Sequence, residues 1–105
     1  MREAAGKTTG GPPARGRRRT VVRVQTGVRM EKRILLVLKA LGGTLDLSMG
    51  DLLEGIVLHA FDGRTPFSRE TLRKIQALRK VYGLDLTSAD SHLLVEAPRK
   101  RRGGP

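Results

Sequence analysis

From Val22 to Met30 the chain alternates strictly. Val22, Val24, Thr26, Val28 and Met30 fall on one side, and Arg23, Gln25, Gly27 and Arg29 on the other. That period of two predicts one short β-strand. The period then lengthens: Met30, Ile34, Val37, Leu38 and Leu41 recur at helical spacing and predict a first helix over about residues 31–41. Leu35 and Leu36 lie outside that stripe, so the helix is apolar over more than half its girth and needs partners on several sides. Gly42 and Gly43 are expected to stop it, with Gly42 as a left-handed cap.

A second helix is expected after Ser48, which with Asp51 makes an S-x-x-D start. Its apolar positions are Leu52, Leu53, Ile56, Val57, Ala60 and Phe61, and Asp62-Gly63 ends it. Gly55 costs about 1 kcal/mol relative to Ala in a helix interior, which close helix approach would justify. A third helix over 69–82 carries Leu72, Ile75, Leu78, Val81 and Tyr82 as its stripe, with Arg73, Lys74, Arg79 and Lys80 mostly on other faces. Pro66 or Ser68 marks its start and Gly83 its stop. Thr87 with Asp90 predicts a short fourth helix bearing His92, Leu93, Leu94 and Val95. Leu45-Asp46-Leu47-Ser48 with Asp51 echoes Leu84-Asp85-Leu86-Thr87 with Asp90, as shared capping chemistry.

Charge is uneven. Residues 1–19 hold six basic side chains and one acidic, and residues 97–105 hold four basic and none acidic, out of a formal +11 for 105 residues. Both ends lack large apolar residues and are expected to be disordered. The organisation that follows is a basic head (1–19), a strand-helix-helix unit (20–63), a helical extension (64–96) and a basic tail (97–105). No cysteine is present, which excludes disulfides and thiolate metal sites. The longest apolar run, Ile34 to Leu38, is far short of a membrane span, and the N-terminus lacks the apolar centre of a signal peptide. A cytoplasmic, nucleoid-associated protein is expected, with no membrane partner. Nucleic acid is the first candidate partner for such a basic chain.

One strand and two helices cannot satisfy the strand's own backbone groups or cover a helix that is apolar nearly all round. A second copy would cure both, pairing two strands into an antiparallel ribbon over four interlocked helices. The expected fold is therefore mainly α with one short β-strand, an intertwined homodimer, plus an extra C-terminal helix or helices. Its dimer core would hold Val24, Val28, Met30, Ile34, Leu38, Leu52 and Ile56.

The run Val22 to Met30, the apolar first helix and Leu47-Ser48-Met49-Gly50-Asp51-Leu52-Leu53-Glu54-Gly55-Ile56-Val57 together resemble the ribbon-helix-helix family of bacterial DNA-binding proteins, of the Arc, MetJ and CopG type. The likeness covers about 40 residues. It implies a transcriptional regulator or plasmid-maintenance factor whose ribbon enters the major groove of double-stranded DNA. Carried over, the base-contacting set is Arg23, Gln25, Gly27 and Arg29, and the phosphate-contacting set is Ser48, Met49 and Gly50. Arginine suits guanine O6/N7 and glutamine suits adenine. Gly27 departs from a pattern of three polar readers, and Asp51 repels phosphate unless its carboxylate folds back onto Ser48.

Arg17, Arg18, Arg19, Arg99, Lys100, Arg101 and Arg102 are either solvated tails or non-specific, salt-sensitive phosphate contacts. Two plainer readings of the strand stand beside the ribbon: a hairpin turning at Gln25-Thr26-Gly27, or a merely solvated polar face. His59 and His92 have no second ligand at metal spacing, and the aspartates cluster at helix ends as caps. No phosphate loop, nucleophile elbow or zinc pattern occurs, so neither an enzyme nor a cofactor or metal is expected. A second function class is an antitoxin or adaptor whose residues 66–96 bind a protein partner. A third, RNA binding, is weakened because Phe61, Phe67 and Tyr82 all lie away from the strand.

Overall fold

The computed structural model describes residues 18–98. Most of the head and tail expected to be disordered therefore lies outside the described residues. Among the described residues three helices follow one another, α1 (Lys32–Leu45), α2 (Met49–Phe61) and α3 (Arg69–Tyr82), and a 3₁₀ turn follows at Ser88–Asp90. Among the described residues no helix is long and apolar enough to cross a membrane.

The helix starts are set locally. Ser48 Oγ accepts from the Asp51 amide and Ser68 Oγ from the Thr71 amide, both at 3.1 Å. Glu31 caps α1 by accepting from the Ile34 amide at 3.0 Å. At the 3₁₀ turn, Thr87 and Asp90 form the full reciprocal capping box. Ser48 and Thr87 thus share N-cap chemistry, as the echoed sequence leads one to expect.

All three helices end in the same paired-bond motif. Leu47, Arg64 and Leu84 donate to Gly42, His59 and Arg79 carbonyls respectively, each at 2.8 Å, over a left-handed residue. Those residues are Asp46, Gly63 and Gly83. Each is the Schellman arrangement, which satisfies carbonyls that a helix end leaves free. α1 therefore runs through Gly42 and Gly43 rather than stopping there. Gly42 serves a different need: it is buried, and a Cβ on it would sit 3.0 Å from the Leu47 carbonyl oxygen. The glycine lets the returning loop lie against the helix. Gly55 faces open space instead, with nothing within 4 Å of a built Cβ, so it permits no close helix approach within the chain.

α1 is central, with α3 packed along it more extensively than α2. The core is small: Val37, Leu41 and Leu52 are the buried apolar side chains. α3 buries none of its residues fully. Arg33 ties the start of α1 to the end of α3. Its Nε donates to Glu31 at 3.0 Å, and its Nη1 donates to both the Gly83 carbonyl and the Asp85 carboxylate at 3.0 Å. The bond to Glu31, with a smaller contribution from Asp85, raises the Arg33 pKa against desolvation. Partial burial pushes the Glu31 carboxyl up, but the bonds from Ile34 and Arg33 outweigh it and hold it below its ordinary value.

Three expectations fail. No strand or sheet occurs among the described residues, so the ribbon-helix-helix fold and its intertwined, ribbon-paired dimer are not what this chain forms. Alternation marks a segment suited to a sheet, but a strand exists only with a hydrogen-bonded neighbour. Among the described residues the other elements are helices, which offer no strand edge to pair with. Val22, Val24 and Val28 stay 91%, 79% and 75% exposed, so no face of the segment is covered. The hairpin fails too, since Gly27 is not left-handed. The fourth helix shrinks to one 3₁₀ turn, because Ser91 is extended and His92 is left-handed at φ 67°.

Candidate nucleic-acid interface

The four residues expected to contact bases lie on one exposed arm that precedes α1. Arg23 is not free on it. Its Nε and Nη2 donate to the two carboxylate oxygens of Glu54 at 2.8 and 2.7 Å, and Nη2 also reaches Asp51 Oδ1 at 3.5 Å. The hydrogen bond from Arg23 holds the Glu54 carboxyl below its ordinary value, and the same bond raises the guanidinium pKa. Arg29, at the far end of the arm, pairs with Glu96. Gln25 and Gly27 are exposed between them, and a Cβ on Gly27 would meet nothing.

The Arg23 bonds place the arm beside the first turn of α2, where Ser48, Met49 and Gly50 lie. Of the expected base-contacting residues, Arg23 is thus brought beside the expected phosphate-contacting turn, whereas Arg29 pairs at the other end of the arm. The Ser48 hydroxyl occupies the Asp51 amide. The Met49 and Gly50 amides, first in the helix, have no intrahelical acceptor to bond. Gly50 also leaves open space above it. The Asp51 carboxylate turns toward Arg23 rather than folding back onto Ser48, which puts the local positive charge next to the carboxylate.

Of the expected dimer core, only Leu52 is buried within the chain. Met30, Ile34, Leu38 and Ile56 are half-buried, and Val24 and Val28 are exposed. Arg18 and Arg19 are exposed. Arg17, Arg99, Lys100, Arg101 and Arg102 fall outside the described residues. His59 Nδ1 donates to the Gly55 carbonyl at 2.7 Å, a local bond within α2.

Sequence reasoning set Arg73, Lys74, Arg79 and Lys80 off the apolar stripe of α3, but it neither added Arg69 to them nor separated Arg79 from them. Arg79 is a structural residue, donating to the Leu86 carbonyl at 2.8 Å. Arg69, Arg73, Lys74 and Lys80 are exposed on α3 and form no ion pair among the described residues. The signal was present in the i, i+4, i+11 spacing of 69, 73 and 80, which puts them on one helix face. No family model matches the chain, and no curated protein or solved structure shows similarity to it.

Proposed function

We propose that the protein binds double-stranded DNA as a homodimeric bacterial regulator or plasmid-maintenance factor on the nucleoid. The observation that carries this reading is the 3.5 Å approach of Arg23 to Asp51, which joins the arm bearing Gln25 and Arg29 to the amide-rich start of α2. Gln25 and Arg29 would meet base edges, and the Met49 and Gly50 amides a backbone phosphate, aided by the helix dipole. The basic ends add salt-sensitive affinity. The reader is the exposed arm itself, since among the described residues the chain holds no strand to insert. Selection of bound duplexes from a random pool, with the mass of the complex measured alongside, tests this. Enrichment of a repeated site supports it, and even recovery of all sequences removes the specificity.

A second reading has its own observation. Leu93 and Val95 are 72% and 91% exposed just after the 3₁₀ turn, as an adaptor's partner-binding segment would be. A protein that co-purifies in stoichiometric amount with the native chain, and is lost with Leu93→Asp and Val95→Asp, would favour it.

A further inference from the structure

We propose that the outer face of α3 is a second DNA-contacting surface, a row of cations that grips the phosphate backbone of a duplex beside the site of the arm. This rests on the duplex-binding reading above and gives it a second place of contact. α3 turns Thr71, Ile75, Leu78, Arg79 and Tyr82, all half-buried, inward against α1. Helical geometry then puts Arg69, Arg73, Gln76 and Lys80 on the opposite side, and all four are exposed. Glu70, the only acid in the helix, is exposed at the margin of that row, one turn before Arg73, and Lys74 is exposed beyond it.

The distribution of partners separates this face from the arm. Arg23, Arg29 and Arg33 are each paired with a carboxylate of their own chain. Arg69, Arg73 and Lys80 have no such pair among the described residues, so a polyanion breaks no ion pair there, although Glu70 flanks the row. From Arg69 to Lys80 the row runs about 16 Å, against about 3.4 Å of duplex axis per phosphate on one strand. Each cation can therefore reach its own phosphate. Gln76 adds a neutral donor to the same line.

Other polyanions fit less well. The row carries no aromatic, whereas single-stranded nucleic acid is held largely by stacking; Tyr82 lies on the inward side. A membrane surface would need the apolar stripe of the helix to enter the lipid; Ile75, Leu78 and Tyr82 of that stripe are half-buried, and only Leu72 and Val81 are exposed.

The test is the salt dependence of duplex affinity for the full chain and three variants. Arg69→Gln/Arg73→Gln/Lys80→Gln should weaken binding and lower the slope of log K against log salt by about 2 to 3. Arg69→Lys/Arg73→Lys, which keeps the charge, should restore it. Lys32→Gln/Lys39→Gln/Arg64→Gln removes the same charge from exposed positions elsewhere and should lower the slope by no more than about 1. Circular dichroism and thermal midpoints equal to wild type secure the fold of each. A wild type that binds duplex with a slope unmoved by the α3 triple, or moved equally by the control triple, overturns the α3 assignment alone. No duplex binding by the wild type at low salt overturns the parent reading as well. Binding to anionic vesicles with the same α3 dependence, and none to duplex, reassigns the face to membranes.

Discussion

Arg23 closes a two-bond clamp on Glu54, Nε to Oε2 at 2.8 Å and Nη2 to Oε1 at 2.7 Å, across 31 residues of sequence. Both side chains are about half exposed, so the clamp is an accessible latch rather than a buried strut. Phosphate and Glu54 compete for one guanidinium. Glu54→Gln should raise duplex affinity several-fold at low salt, and the gain should shrink as salt rises. An affinity unchanged by Glu54→Gln at all salt concentrations would mean that Arg23 does not touch DNA.

The same pair has a pH signature. The Glu54 carboxyl is held below its ordinary 4.5, first by the hydrogen bond from Arg23, with charge attraction adding to it against desolvation. A carboxyl lowered in the folded state contributes stability that is present above its unfolded value and is lost as pH falls through the folded one. The latch should therefore open only in acid, below pH 4.5. Carboxyl carbon NMR should put the Glu54 midpoint lower in wild type than in Arg23→Gln, and coincident midpoints would exclude the clamp in solution.

What was legible in the sequence was whatever is decided within a few residues. Ser48, Ser68 and Gly83 mark the bounds of α2 and α3 because a cap needs only its own helix turn. The end of α1 was misread because Gly42 looks like a stop, while its actual duty, receiving the Leu47 carbonyl, depends on how the loop returns. The strand was misread because alternation reports suitability for a sheet and says nothing of a neighbour. The state of the arginines was illegible for a similar reason. Arg23 and Glu54 are 31 residues apart and Arg29 and Glu96 are 67 apart, so no local pattern links them.

Three helical glycines should respond to alanine with different signs. Gly43 and Gly55 lie inside helices with nothing within 4 Å of an added Cβ. Alanine at either should stabilise by about 0.5–1 kcal/mol, the ordinary gain in helix propensity. Gly42→Ala meets the Leu47 oxygen at 3.0 Å, and that residue's amide makes the capping bond, so the change should destabilise despite the same propensity gain. Urea midpoints decide it; three shifts of one sign would contradict the close loop approach.

Arg33 should matter more to folding than its half-buried position suggests. It joins the α1 start to the α3 end through Gly83 and Asp85, and α3 has no fully buried residue to hold it otherwise. Arg33→Met keeps the aliphatic stem and removes the donors. It should lower the thermal midpoint by a few degrees and speed amide exchange in α3 before α2. Uniform exchange across the three helices would show that the tether carries no share of α3 stability.

Self-association is the remaining consequence of so small a core. On α2, Leu52 is buried and Ile56 half-buried, whereas Leu58 and Phe61 are 63% and 81% exposed, and Val57 and Leu58 border the arm's Val21 and Val22. Fully burying a side chain of this size is worth roughly 1.5–3 kcal/mol. Several from each of two copies exceed the lower estimates of association cost, about 4 kcal/mol. Two copies joined through this face would hold two arms at a fixed separation and so favour a repeated DNA site. Wild type should sediment as a dimer, and Leu58→Asp/Phe61→Asp as a monomer with unchanged helicity, since neither side chain supports the fold of the single chain. The double variant should also lose preference for a paired over a single half-site. A wild type that stays monomeric at its highest soluble concentration would leave this apolar face without a second copy to cover it.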